Sequence, residues 1–297
     1  LPTEETLTDD EVVRLVRVGV ERLGIRQVRF TGGEPLLRRG LEGIINECSH
    51  LRTDEGKPLD LALTTNALGL AKRAQGLKDA GLNRVNISLD SLDPEHFAAI
   101  TRRDRLADVL EGIEAAARAG LSPIKVNTLV LRGMNEADLP DLVDYCLDLG
   151  IELRVIEQMP IGPADTWDRQ NILTADEILH IMGTRHTLTP APREDPHSPA
   201  GRWIVDGDAS KRLGVIASVS DPFCNACDRT RLTSDGMVRS CLFSTEETSL
   251  RDLLRGGGDD AQIAARWADA MWTKPAAHGL NLDAFARPSR TMSRIGG

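Results

Sequence analysis

Three of the five cysteines crowd into one short stretch: Cys224 and Cys227 are separated by two residues, and Cys241 follows across a predicted hairpin. A two-residue gap lets neighbouring thiolates grip one metal centre, and a hairpin can return the third thiolate to the same place. A structural zinc site is the alternative, but zinc scaffolds normally close with four ligands, and no fourth cysteine or nearby histidine is available. Three thiolates suit an iron–sulfur cubane with one iron left open, where a substrate can bind. Cys48 and Cys146 read differently. Cys146 shares the apolar face of a predicted helix with Leu139, Leu142, Val143 and Leu149, and both cysteines are expected to pack as small hydrophobes.

Other residues could hold ligands. Gly32-Gly33-Glu34-Pro35 directly follows a predicted strand, so its backbone amides and carbonyls can face a ligand, with Glu34 at hand for an ammonium group; a plain strand-to-helix turn is the alternative. Arg29 lies on that strand. If it points inward it needs an anionic partner, and otherwise it faces the surface. Lys125 raises the same question at the start of a later strand. Arg229 and Arg231 flank Thr230 just after the cysteine pair and could form a fork for a polyphosphate, or could sit on a solvated hairpin edge. Met159, before Pro160, is a ligand contact or ordinary core.

These residues need elements to position them. From Leu1 to about Gly183, β-branched runs alternate with amphipathic stretches, which predicts repeated β/α units around a parallel sheet. Thr8 with Glu11 three residues on makes a capping box for a first helix that stops at Gly24. Strands are predicted at 27–31, 61–65, 84–88, 124–131 and 152–158, with helices near 69–80, 94–119 and 136–149. Each strand ends in polar or glycine-rich residues, and in a β/α barrel those ends share one rim. Thr174 opens another capped helix. The proline-rich stretch 188–202 then marks an expected boundary between residues 1–187 and 188–297. Beyond it come a strand at 213–219, a hairpin over 229–242 turning at Asp235-Gly236 as a type I′ pair, and a helical segment at 249–273 broken by glycines at 256–258.

The 297 residues, 41% hydrophobic, suffice for a real core. A net charge of −9 and a pI near 5.3 argue against a nucleic-acid-coating surface, so any bound phosphate must be held by a local cluster of Arg and Lys. No run approaches the roughly 20 apolar residues of a membrane helix and no signal-peptide pattern opens the chain, so a cytoplasmic setting without a membrane or nucleic-acid partner is expected. The first residue is Leu1 rather than Met, and native sequence is expected to precede it.

With Thr31-Gly32-Gly33-Glu34-Pro35, Ser88-Leu89-Asp90, Lys125 and the Cys224, Cys227, Cys241 set in one order, the sequence resembles the GTP 3′,8-cyclase family of radical S-adenosylmethionine (SAM) enzymes. The resemblance runs from Leu1 to Gly297 and includes the Arg294-Ile295-Gly296-Gly297 tail. It implies an α/β fold, a partial (β/α)6 TIM-like barrel with a C-terminal extension carrying an auxiliary [4Fe-4S] cluster on Cys224, Cys227 and Cys241. It implies SAM contacts from Gly33, Glu34, Ser88 and Met159, and GTP contacts from Arg29, Thr64, Lys125, Arg229, Thr230 and Arg231. The implied activity is that of a lyase cyclising GTP to (8S)-3′,8-cyclo-7,8-dihydroguanosine 5′-triphosphate, the first step of molybdenum cofactor biosynthesis, in a homodimer. A first cluster would cleave SAM reductively, and the radical so formed would take the hydrogen on the ribose C3′ before that carbon attacks guanine C8. The three cysteines of that first cluster, in a CxxxCxxC segment, are not in this sequence; the resemblance places them, with the first barrel strand, before Leu1. Two other readings stay open: a radical SAM enzyme modifying a peptide, and a non-catalytic iron–sulfur or nucleotide-binding module if the chain begins at Leu1.

Overall fold

The computed structural model describes residues 4–161, 167, 171–277, 279, 280, 288 and 290–295. In chain order its elements are α1 (Asp9–Leu23), β1 (Gln27–Phe30), α2 (Leu41–Ser49), β2 (Asp60–Thr65), α3 (Leu70–Asp79), β3 (Arg84–Ser88), α4 (Pro94–Thr101), α5 (Leu106–Arg118), β4 (Ile124–Leu129), α6 (Leu139–Asp148), β5 (Glu152–Ile156), α7 (Ala175–Met182), β6 (Leu188–Pro190), β7 (Gly201–Val205) and β8 (Asp208–Ile216). The C-terminal part adds β9 (Arg231–Leu232), β10 (Met237–Arg239), β11 (Thr248–Ser249), α8 (Arg251–Arg255), α9 (Asp260–Trp272) and α10 (Met292–Ile295). Two compact units result. One comprises Leu1–Thr64, Arg73–Arg84 and Arg229–Gly297, the other Thr65–Lys72 and Val85–Asp228.

In the first unit, α1 begins with the expected capping box: the Glu11 N–H donates to Thr8 Oγ1 and the Thr8 N–H to Glu11 Oε2. Two of the orphan amides of the first turn are thereby satisfied. Gly24, at φ +69°, closes the helix. The buried face of α1, with Leu15 and Val18, packs into one cluster with Val238 of β10, Leu250, Leu254 of α8, and Ile263 and Trp267 of α9. The two ends of the described chain thus share a core. Strands β1 and β2 pair in parallel from Gln27 opposite Asp60 to Phe30 opposite Leu63, and the Arg84 guanidinium clasps Asp60 at 2.7 Å and reaches Gln27. Helix α2 does not appear among the predicted elements; it has no side-chain cap to announce it.

The second unit is built on parallel strands β3, β4, β5 and β8, in that spatial order, with antiparallel β7 and β6 beyond β8. Val85, Ile87, Val126, Leu153, Val155, Leu213 and Val215 on these strands are buried, as are Val109 and Ile113 of α5 and Leu142, Val143 and Cys146 of α6. The expected boundary at 187/188 falls inside this unit, at the start of β6, because β6, β7 and β8 continue the sheet by hydrogen bonding outward from β5. The long helix predicted over 94–119 is two helices. Arg102, at φ +57°, takes the chain out of helical geometry between them, and the Thr101 hydroxyl donates to the Phe97 carbonyl in the last turn of α4.

The C-terminal hairpin forms between β9 and β10, but not with the predicted type I′ turn. Only Gly236 has a positive φ, +77°; the Gly236 N–H donates to the Thr233 carbonyl and the Thr233 N–H to Met237. A turn with one left-handed glycine at its end is the bulged form of hairpin connection, which adds residues relative to the two-residue type. A Cβ at Gly236 would also lie 2.7 Å from Arg251 Cβ and 3.1 Å from Leu7 Cδ2. Gly236→Ala is therefore expected to cost about 2–3 kcal/mol, from left-handed strain and overlap together. Urea unfolding measures it, and a loss under about 0.5 kcal/mol would contradict this account of the turn.

Candidate functional site

The cysteine pair sits at the end of a polypeptide path fixed by one buried carboxylate. Just beyond β5, Glu157 is fully buried. Its Oε1 accepts from the Ala175 N–H at 2.7 Å and from the Ser220 hydroxyl, and its Oε2 accepts from the Val219 and Ser220 N–H groups at 2.8 and 2.9 Å. These donors lie on the first residue of α7 and in the turn after β8. From Ser220 the chain runs directly into the single 3-10 turn Cys224–Ala226, where the Cys227 N–H donates to the Cys224 carbonyl at 3.1 Å. Cys224 and Cys227 therefore flank one turn of backbone, both half-buried.

A histidine does lie beside this turn, contrary to the sequence reading. His197 Nδ1 is 2.7 Å from the Ala226 carbonyl, an arrangement that makes Nδ1 the protonated nitrogen. Local pattern does not reveal it, because His197 lies 27 positions before Cys224.

Cys241 belongs to the other unit. It follows β10 by two residues, in a loop where the Ser244 N–H donates to its carbonyl at 3.2 Å, and it too is half-buried and free. Cys48 and Cys146 are sealed in the core as expected, and burial pushes each thiol up to about 12, the Glu47 charge adding to the effect at Cys48. Accessible thiols are the donor chemistry an iron–sulfur cluster needs, and these two are excluded from it. Among the described residues no group of three or more His, Cys, Asp or Glu is gathered at metal-binding separation.

The glycine turn after β1 is held as a rigid shape. Gly32, at φ +123°, occupies backbone space that L-residues rarely enter, Gly33 is exposed, and the Glu34 side chain caps the short helix Pro35–Leu37 by accepting from the Leu36 N–H at 3.0 Å. Arg73 of α3 clamps the turn from behind: it donates to the Leu36 and Arg38 carbonyls and to both carboxylate oxygens of Glu42, holding Glu42 below the usual carboxylate range. In the same unit Arg29 is exposed on β1 and Thr64 half-buried on β2. Thr230 Oγ1 accepts from the Trp267 indole N–H at 2.9 Å, the Arg229 carbonyl accepts from Lys274 Nζ at 2.9 Å, and Arg231 lies opposite Arg239 in the hairpin.

In the second unit the strand ends carry the rest. Ser88 is exposed at the end of β3, opposite Asn127. Two residues on, Asp90 Oδ1 accepts from the Leu129 N–H at 2.8 Å, while the buried Asn135 amide donates to the Asp90 and Leu129 carbonyls. Lys125 is buried on β4, opposite Glu152 of β5. Burial works to raise the Glu152 carboxyl, but Arg154 at 2.6 Å, Lys125 and Arg202 together hold it below its ordinary value. Arg154, itself buried, was not singled out in the sequence; its β-strand neighbours gave no sign that an arginine would be inside. Met159 is half-buried rather than core, and its carbonyl accepts from the Ile161 N–H. The Gly296-Gly297 end lies outside the described residues.

Comparison with known proteins places this arrangement. Residues 1–146 match the Radical SAM superfamily and residues 151–280 the family described as Molybdenum Cofactor Synthesis C. Curated proteins named GTP 3′,8-cyclase from Corynebacterium glutamicum, Rhodococcus opacus and Mycolicibacterium smegmatis are 54%, 53% and 54% identical over 100% of this chain and 80%, 83% and 82% of their own lengths. The chain belongs to the GTP 3′,8-cyclase family. Its fold is an α/β partial TIM barrel of the radical SAM type: native anSMEcpe with bound AdoMet superposes with a TM-score of 0.60 at 13% identity over 92% of this chain and 73% of that one, and Streptococcus suis SuiB bound to S-adenosylmethionine with 0.58 at 14% over 88% and 61%.

Two consequences of the geometry are open to measurement. Burial raises the Asp90 carboxyl to about 6 from 3.8, its hydrogen bond from Leu129 working in the opposite sense; the carboxyl group is enclosed although the residue as a whole is half-buried. An acid with a raised native pKa binds extra protons when folded, so its contribution to stability is present at low pH and is lost as pH climbs from about 4 to about 6. Asp90→Asn, which keeps an oxygen for the Leu129 N–H, is expected to raise Tm at pH 7.5 by about 2–4 °C and to leave it unchanged near pH 4. A lower Tm at pH 7.5 would refute it. Glu157→Gln puts an amide donor where four donors already converge, and is expected to cost about 3 kcal/mol or more, with faster hydrogen exchange at Val219 and Ser220. Unchanged exchange there would show that the carboxylate does not hold the cysteine turn.

Proposed function

We propose that this chain provides the GTP-cyclising part of a radical SAM lyase, forming (8S)-3′,8-cyclo-7,8-dihydroguanosine 5′-triphosphate in the first step of molybdenum cofactor biosynthesis. The observation that carries the proposal is 52–54% identity, over the whole chain, to curated GTP 3′,8-cyclases. The peptide-modifying alternative has no comparable support, because solved structures at 13–14% identity share only the fold.

SAM with its [4Fe-4S] cluster supplies, when bound, the one-electron chemistry that removes a ribose hydrogen. The residues of this chain do the placing. In this reading Gly33 and Glu34 on the clamped turn, Ser88 at the end of β3 and Met159 after β5 contact SAM. Gly33, without a side chain, lets the ligand approach backbone, and Glu34 offers carboxylate charge to an amino group. Arg29, Thr64, Lys125, Arg229, Thr230 and Arg231 hold GTP. Arginines suit phosphate oxygens because the guanidinium fork donates two parallel hydrogen bonds, and in a chain of net charge −9 such a site must be local. Cys224, Cys227 and Cys241 would hold an auxiliary [4Fe-4S] cluster, which would supply an iron able to bind the guanine of GTP. Their accessibility and freedom from disulfides support that assignment. No described helix is long and apolar enough to cross a membrane; a cytoplasmic homodimer completes the reading.

The test uses the full-length protein with its clusters reconstituted without oxygen. It is expected to release 5′-deoxyadenosine only when GTP is present, and Cys241→Ser to lose about four iron atoms per chain while still binding SAM. Equal 5′-deoxyadenosine without GTP would overturn the substrate. Undiminished iron in Cys241→Ser, or zinc in its place, would overturn the auxiliary cluster alone.

A further inference from the structure

The loop that carries Cys241, residues 240–247, is closed by a partly buried chain of alternating charges. Arg239, at 1% exposure, has its guanidinium inside the protein: one terminal nitrogen donates to the Glu247 carboxylate and the other to the Ser244 carbonyl. Its Nε has no hydrogen-bond partner. A guanidinium so enclosed depends on its carboxylate, since an unpaired buried charge costs several kcal/mol. Yet Glu247 is shared. Its second oxygen accepts from Arg290 at 2.6 Å, and Arg290 also grips both oxygens of Asp235, at 3.0 and 2.8 Å, in the hairpin turn.

Arg290 thus joins three pieces of the same unit: the turn at Asp235, the far root of the Cys241 loop at Glu247, and the C-terminal segment. Two residues after Arg290, α10 begins, and its Ile295 is buried. Without Arg290, Asp235 would lose its guanidinium partner and Glu247 would lose one of its two, so nothing in this network would tie the hairpin turn and the C-terminal segment to the far root of the loop. Glu247 would keep Arg239, but the loop root it anchors would be free to move relative to the turn at Asp235 and the C-terminal segment, and the Cys241 loop with it.

We propose that Arg290 is a positioning residue that sets the Cys241 thiol and the C-terminal helix together through the shared carboxylate of Glu247. The bearing on catalysis rests on the auxiliary-cluster reading, but the coupling itself does not, and the experiment separates them by using metal-free protein. Alkylation of each cysteine by iodoacetamide is followed by mass spectrometry under reducing, anaerobic conditions. In Arg290→Ala, Cys241 is expected to react about five-fold faster relative to Cys224 and Cys227, with faster hydrogen exchange over 292–295, while Cys48 and Cys146 stay protected. Arg290→Lys, which keeps the charge but loses the two-pronged grip on Asp235, should fall between wild type and Arg290→Ala. A Cys241 ratio within two-fold of wild type in folded Arg290→Ala overturns the proposal, as does a rise in all five thiols with no preference for Cys241. Should Arg290→Ala fail to fold, Glu247→Gln, which retains the Asp235–Arg290 pair, is expected to show the same selective rise, and its absence overturns the proposal equally. Loss of iron binding at Cys241 for any other reason would leave these thiol results standing.

Discussion

A carboxylate buried without solvent has to be satisfied completely or not be there, and Glu157 is the point where this chain accepts that constraint. The penalty of desolvating a charge amounts to several kcal/mol, and it is offset here by three backbone N–H groups and one hydroxyl, all converging on two oxygens. Because one donor belongs to the first turn of α7, that helix's positive end also faces the charge. The geometry admits little slack. A shift of the turn after β8 by even an ångström would leave donors and acceptors unpaired inside the protein, so the backbone leading to Cys224 starts from a fixed place.

The other unit reaches the same end by pairing charges rather than by collecting amides. Asp235, Arg290, Glu247 and Arg239 alternate in sign, so each buried group has an opposite neighbour, and the loop bearing Cys241 hangs between the last two. The two devices differ in what they tolerate. Amide donors cannot leave Glu157 without breaking backbone structure, whereas a side-chain network can rearrange when one member is lost. The apolar cluster that α1 shares with α8 and α9 supplies the bulk stabilisation around this network; the charges decide which geometry that stabilisation serves.

What the sequence disclosed was what sequence distance keeps close. The capping boxes at Thr8 and Thr174, the parallel strands of the β/α alternation and the core character of Cys48 and Cys146 all depend on periodicity or on partners three or four residues away. The misses depend on distant partners or on backbone angles. The break at Arg102 is a left-handed residue inside an otherwise continuous apolar pattern, and the Asp235-Gly236 pair looks like a two-residue turn until Asp235 is seen to have an ordinary φ. His197 finds Ala226 across 29 residues, and Glu157 finds Ser220 across 63. Of the ligand residues, the cysteines and the glycine turn were legible by type and spacing; Arg154 was not, because nothing local marks an arginine that β4 and β5 will bury.

That last case shows how an acidic chain keeps cations inside its sheet. Arg154 and Lys125 are buried beside Glu152, and Arg202 of β7 approaches the same carboxylate. Glu194 approaches Arg202 at 3.4 Å from the surface side, also engaging Arg212 at 2.7 Å. A low interior dielectric strengthens these pairings, and the chain's overall negative charge is screened within about 8 Å at physiological salt. The neighbouring charges, not the net charge, therefore set the field these residues feel. Glu152 thus has a definite structural role: it keeps Lys125 and Arg154 beside an opposite charge inside the sheet, where an unpaired ion would cost several kcal/mol.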